Sequence, residues 1–499
     1  MKPTKGVHKE VKQPTTRQKP KVSAREAAMD ILTRVEEDRS YSNLLLNRTL
    51  QKLELSRADA GLTTELVYGT IQRLNTIDHY LGRFLTGGLD KLQPWVRSLL
   101  RLSFYQLYYL DRIPSHAAVS EAVNVAKKRG HLGISGMVNG VLRNVIRQKE
   151  QLKPQASLSD IKRIALSESH PEWLVARYVH RYGVDVTEQI CAANNKPPHS
   201  SIRVNRLKGL PEDVAGKLRE EGLKVFPSAL AESGLVVEGG GNLAFSMWYE
   251  QGKVSVQDES SMLVAEAVAP EAGMQVLDCC AAPGGKTAHM AEIMGDRGQI
   301  TACDVHEHKE KLISTQAKRL GLSSIHTIVA DARELGQKLP AESYDRILLD
   351  APCSGLGVIR RKPELKWYKQ EKDIQAVANL QKELLEAVHG LLKPGGILVY
   401  STCTTEPEEN ANRVKTFLAD HTQYALAPFP EHFIAMLGST TNDFDESVES
   451  NQPQKPTPAR LHELKQQAQK GMLQLLPSDF GTDGFFIARL SKMSEPMLK

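Results

Sequence analysis

The chain has 499 residues, more than one hydrophobic core serves, and its 25% charged and 41% hydrophobic content is that of a globular protein. No apolar run reaches membrane-spanning length, the N-terminus lacks the apolar stretch of a secretory signal, and the six cysteines show no C-x-x-C spacing. These features exclude a disulfide framework and a zinc knuckle, so no metal is expected, and they point to a reducing cytoplasm. The net charge of +5 is unevenly placed: residues 1–22 hold seven Lys and Arg against Glu10 alone, so the remainder sums to −1.

That basic tail (1–22) reads as disordered and as a tether to a polyanion. Folding is expected from Ser23, which with Glu26 forms a capping-box pattern ahead of Ala24, Ala27, Ala28, Ile31, Leu32 and Val35 at helical spacing. Helices are predicted over 43–54, 62–86, 95–110, about 115–129 and 135–149. The stretch 95–110 is apolar nearly all round and belongs in the middle of a bundle. Residues 23–150 thus read as an all-α domain of five to seven helices. After a polar connection at 153–159, Pro171 suits the first turn of a helix over 171–182. Residues 201–205 and 235–238 read as strands and 211–221 as a helix, so 160–255 is linker helix and a small α/β segment. From 256 to 499 strands and helices alternate, the pattern of a parallel, Rossmann-like sheet with crossover helices. The polar stretch 439–458 reads as a disordered insertion.

Within the last segment, a strand at 275–278 and a helix at 284–294 flank the turn Cys280-Ala281-Ala282-Pro283-Gly284-Gly285-Lys286. Small residues let the backbone approach a ligand, and the helix start offers free N–H groups. The turn is neither G-x-G-x-x-G nor a P-loop, so a cofactor without pyrophosphate suits it better. A second strand ends at Asp304, 26 positions after Asp278, where such folds place a ribose-binding acid. Two more end at Asp331 and Asp350. Four acids at one sheet edge mark a ligand cleft more strongly than helix capping would explain. Lys286 is unfavourable at a helix start and so leans toward a ligand or RNA role.

Cys353 and Cys403 each lie just past a strand end, and neighbouring strands would turn both thiols into one cleft. Two such thiols suit methylation of carbon 5 of cytosine. That carbon is too weak a nucleophile to take a methyl group unaided; thiolate addition at carbon 6 pushes electron density onto it. Asp350 is placed to hold a proton at nitrogen 3. Cys279, Cys280 and Cys303 are expected to pack near the turn, and Cys191 to be structural. Spacing alone does not choose between Cys353 and Cys403 as nucleophile.

At D-C-C-A-A-P-G-G-K-T (278–287), A-C-D (302–304), A-D-A (330–332), L-D-A-P-C-S-G (349–355), S-T-C-T (401–404) and D-G-F-F-I-A-R-L (483–490), the chain resembles the RNA cytosine-5 methyltransferases of the Sun/Nol family. V-Q-D-E-S-S (256–261) and I-R-V-N (202–205) also fit, and the first 150 residues resemble a NusB-type RNA-binding bundle. The resemblance implies a NusB-like bundle, an RRM-like small α/β subdomain and an S-adenosylmethionine-dependent methyltransferase domain. It implies that Cys403 attacks and Cys353 helps release the product, although in DNA cytosine-5 methyltransferases the Pro-Cys cysteine attacks. Catalytic roles for Asp350 and Lys286 go with this, as do cofactor contacts from 280–286, Asp304 (ribose), Asp331 (adenine) and Asp350. Arg360, Arg361, Lys366 and Trp367 look like the family's RNA-facing loop. The implied protein is a cytoplasmic monomer acting on 16S rRNA. The rivals are a cytosine-5 methyltransferase of tRNA or another rRNA site, and a non-catalytic RNA-binding antitermination factor.

Overall fold

The computed structural model describes residues 22–53, 55–438 and 455–494. The basic tail, save Val22, and most of the 439–458 insertion lie outside them. The chain divides into two compact units: the described residues through Ile71 with Ile77–Leu152, and Gln72–Thr76 with the residues from Lys153 onward.

The first unit is all helix: Ala24–Asp38, Ser42–Leu53, Arg57–Gln72, Leu74–Gly82, Pro94–Tyr109, Ser115–Arg129 and Leu132–Gln148. The Ser23 hydroxyl accepts from the Glu26 amide at 3.2 Å and fixes the first start. Pro94 opens the helix whose Val96, Leu99, Leu100, Leu102, Phe104 and Leu107 are all buried, the expected centre of the bundle. Arg101 enters that core because Asp78 takes two of its N–H groups, at 2.7 and 2.6 Å, and Glu36 a third at 2.9 Å. The helix expected over 62–86 is two, broken at Arg73. The break falls where residues 72–76 leave this unit: Asn75 donates to the Ala165 carbonyl at 2.8 Å and Thr76 to that of Leu166 at 2.5 Å, both in the second unit.

The second unit begins with helices Asp160–Ser167, Glu172–Tyr182 and Val184–Asn194. An antiparallel sheet follows, made of β1 (Ser201–Val204), β2 (Lys224–Pro227), β3 (Gly234–Glu238) and β4 (Val254–Val256) in the order β2-β3-β1-β4. Helix Pro211–Glu220 packs Val214, Ala215 and Leu218 on it.

The large sheet holds β5 (Gln275–Asp278), β6 (Gln299–Asp304), β7 (Ile325–Val329), β8 (Tyr344–Asp350), β9 (Leu392–Thr402), β10 (Tyr424–Leu426), β11 (Met472–Leu475) and β12 (Phe485–Lys492). Its order is β10-β12-β9-β8-β5-β6-β7, with β11 beside β12. β5 to β9 run parallel; β12 is antiparallel to β9, β10 and β11. The apolar runs of β5, β8 and β9 are buried because helices cover both faces. Helices Glu259–Val268 and Gly285–Ile293 pack Leu263, Val264, Met290 and Ala291 on one. Helices Glu371–Val388 and Ala411–Asp420 pack Leu384, Leu385, Val388, Val414 and Phe417 on the other. The chain enters at β5, moves outward to β7, then returns to β8 on the other side of β5. This reversal opens a crevice beyond the carboxyl ends of β5 and β8, the usual ligand position in such sheets. Among the described residues no helix is long and apolar enough to cross a membrane.

Candidate active site

The Cys280–Lys286 turn leaves β5 at that crevice. The Ala281 amide donates to the Cys303 carbonyl and the Gly284 amide to that of Ala281, both at 2.8 Å, so the turn is pinned to β6. The Ala282–Pro283 peptide is cis. Gly284 has φ +99°, and a Cβ there would come 3.1 Å from Ile313 Cα, so the position requires glycine. Cys279 and Cys303 are buried packing residues and Cys280 is half-buried. Asp278, which the sequence offered only as a strand-end acid, is enclosed behind the turn. Its Oδ2 takes the Thr287 hydroxyl at 2.6 Å, while its buried Oδ1 has no partner. Asp304 is almost buried and accepts from the His306 amide at 3.1 Å. Asp331 accepts from the Arg333 amide at 2.9 Å and from its guanidinium at 2.7 Å, which holds its carboxyl below the usual range.

Asp350 ends β8 opposite Ser401 of β9. Its Oδ1 takes the Ser401 hydroxyl and its Oδ2 the Lys286 ammonium, each at 2.8 Å. The lysine that was misplaced as a helix-start residue is thus answered by a strand-end acid. Burial pulls the Lys286 pKa down, but the charge of Asp350 and its hydrogen bond more than offset it. Because Asp350 and Ser401 are in register, the chain just beyond them carries Cys353 and Cys403 side by side. Their Sγ atoms lie 3.2 Å apart, a thiol–thiol hydrogen-bond distance rather than a disulfide's, and both side chains are partly exposed. The hydrogen bond to Cys403, together with burial, pushes the Cys353 thiol well up. Glu409, which sequence reasoning missed, anchors the Cys353 turn by accepting from the Ser354 amide at 2.7 Å. The Ser354 and Thr404 hydroxyls join the two turns at 2.9 Å.

Two arginines, Arg203 buried and Arg361 partly exposed, assemble the distant motifs around this edge. Arg203 of β1 pairs with Glu292 at 2.9 Å and donates to the Gly285 carbonyl at 2.9 Å and to Gln257. The small sheet is thereby tied to the cofactor-type turn. Arg361 pairs with Asp483 at 2.9 Å and with Asp258 at 2.5 Å. Of the four residues expected to face RNA, Arg360 and Lys366 do not, because both are buried. Arg361 is spent on two acids, and Arg360 is buried, donating to the carbonyls of Gly481 and Thr482. Lys366 is wholly buried, its ammonium 2.9 Å from the Gln72 carbonyl and 3.3 Å from the Asn195 side-chain oxygen. Burial drives its pKa well down. The Trp367 ring is half-buried, with Lys366 Nζ 5.0 Å from its centre. Arg360 and Lys366 therefore hold the protein together rather than face a phosphate.

Three family profiles match the chain: "16S rRNA methyltransferase RsmB/F" over residues 265–491, "NusB family" over 22–147, and the ferredoxin-like domain of RsmF/B-like methyltransferases over 170–244. The chain is 42% identical over 473 residues to a probable ribosomal RNA small subunit methyltransferase B of Bacillus subtilis, covering 95% of this chain and 99% of the relative. It is 38% identical over 474 residues to a protein of the same description from Synechocystis, covering 94% and 100%. A solved methyltransferase homologue from Pyrococcus horikoshii superposes with a TM-score of 0.54 at 29% identity, covering 67% of this chain and all of that one.

Proposed function

The chain belongs to the RsmB/F family of 16S rRNA methyltransferases and methylates ribosomal RNA, and from that premise we propose that it methylates carbon 5 of a cytosine in 16S rRNA through a covalent Cys403 adduct. The observation that carries this reading is the thiol pair at 3.2 Å beside the Asp350–Lys286 pair. Cys403 is the better nucleophile of the two. The raised pKa of Cys353 keeps it a protonated donor, which leaves Cys403 to attack.

S-adenosyl-L-methionine would supply the methyl group as an electrophilic sulfonium. The residues present fit it: a turn of small residues, Asp304 for the ribose hydroxyls and Asp331 near the adenine. The cytosine must leave its stack before carbon 6 is accessible. The Cys403 thiolate then adds to carbon 6 while the Asp350–Lys286 pair offers a proton at nitrogen 3. Carbon 5 takes the methyl, a base removes its proton, and the carbon–sulfur bond breaks with its electrons returning to Cys403. Cys353, donating its S–H to the departing sulfur, assists that last step. Cys403→Ala is expected to abolish transfer of labelled methyl to a 16S transcript with cofactor binding nearly intact. Cys353→Ala is expected to accumulate a protein–RNA adduct that survives denaturant on a gel. Full turnover by Cys403→Ala would refute the assignment.

A further inference from the structure

At the opposite end of β9 from the thiols, the turn His389–Leu391 leads from helix Glu371–Val388 into the strand. β8 pairs Tyr344 with Leu392 and Asp350 with Ser401, so about six strand steps, roughly 20 Å, separate this turn from the reacting edge. Here Glu386, His389 and His421 each bring one oxygen or nitrogen into a cluster whose atoms all lie within 4.8 Å of one another. His421 Nε2 is 3.0 Å from both oxygens of Glu386, and the His389 and His421 rings stand 4.3 Å apart between centres. The buried Nδ1 of His389 has no hydrogen-bond partner.

We propose that Glu386, His389 and His421 form a binding site for a divalent transition metal of the zinc class. Two imidazoles and a carboxylate are the donor set such ions take, and tetrahedral bonds of about 2.0–2.1 Å require ligand atoms to stand only a few ångströms apart. The His421–Glu386 pair does not involve the second imidazole, whose ring packs on Phe417 and Tyr424 but whose Nδ1 that packing leaves unanswered. An ion shared by all three accounts for the cluster, with water in the remaining position. The ligands come from the end of one helix, the turn into β9, and the segment that joins helix Ala411–Asp420 to β10. Tyr424 of β10 already donates to the His389 carbonyl at 2.7 Å. The ion would therefore clamp three segments at the base of the sheet, a structural role remote from the thiols.

The test uses the full chain, stripped with a chelator and titrated with zinc chloride against a chromophoric chelator, then with cobalt(II). One zinc per chain is expected, with a rise in Tm and a cobalt spectrum lacking the near-ultraviolet thiolate band. His421→Ala and Glu386→Gln, each checked for unchanged circular dichroism, should weaken zinc at least ~10-fold and lose the Tm rise. Absence of uptake at millimolar zinc, equal affinity in both variants, or a cobalt–thiolate band, which would place the ion on cysteines, each overturns the proposal.

Discussion

Asp278 ends β5 with its carboxyl fully enclosed, one oxygen on Thr287 and the other unanswered. Burial pushes its pKa up to about 7, against the Thr287 hydrogen bond and with the help of the Asp350 charge. An unfolded aspartate titrates near 3.9, so the folded state holds this proton over a range where the unfolded state has released it. The resulting stabilisation is full below the unfolded value and lost as pH rises through about 7. Asp278→Asn should remove that loss, worth roughly 3–4 kcal/mol at most. Urea melts of wild type and variant at pH 5 and pH 8 check it: the wild type should lose more stability between them, and equal losses would count against the titration. Lys366 makes the contrasting case. A phosphate contact, when removed, lowers the salt slope of RNA binding by about one. Lys366→Met is expected instead to leave that slope unchanged and to lower Tm, because its partners are Gln72 and Asn195. Binding measured over a salt series, beside a thermal melt, separates the two.

The turns after β8 and β9 are held by backbone as much as by side chains. The Gly357 amide donates to the Cys403 carbonyl at 3.0 Å, and the Gly484 amide to that of Gly357 at 2.8 Å. A Cβ on Gly357 would fall 2.0 Å from the Gly484 oxygen and 2.8 Å from that of Cys403. Gly357→Ala must therefore push the Cys353 turn away from the end of β9. We expect about 1–3 kcal/mol of lost stability and, since a 1 Å misplacement can cost ~100-fold, a comparable fall in methyl transfer, both measurable on the purified chain. Nothing in the sequence marks this glycine, since its contacts come from Cys403 and Gly484. What was legible was local. V-L-D, T-A-C-D and I-L-L-D are buried runs that end in acids, so β5, β6 and β8 and the crevice beyond them could be read. β4 is only three residues, and β2 is half-exposed and closes on Pro227, so neither rose above its surroundings. Arg360 and Lys366 misled because a basic residue type does not distinguish a phosphate from a buried carbonyl. The carbonyls that answer them, at Gly481 and Gln72, are more than a hundred positions away.

For the molecule as a whole, the unresolved physical problem is charge. RNA is a polyanion, yet beyond residue 22 the chain sums to −1, and Arg203, Arg360, Arg361 and Lys366 are engaged within the second unit. Residues 1–22 carry +6, enough to supply much of the sequence-independent attraction. Each phosphate neutralised contributes about 0.7–0.9 to the slope of log affinity against log salt. Removing residues 1–21 should therefore make the slope shallower, by as much as ~5 if every basic side chain engages, while kcat at saturating RNA stays unchanged. This truncation is cleaner than deleting the first 150 residues. Residues 72–76 belong to the second compact unit, and the larger cut would strip Lys366, Ala165 and Leu166 of their partners. Its effect on RNA affinity would then mix lost contacts with lost fold. Filter binding of a 16S fragment across a salt series, with intact and truncated chains, reads the tail alone. An unchanged slope would mean that the attraction resides in cations of the folded units.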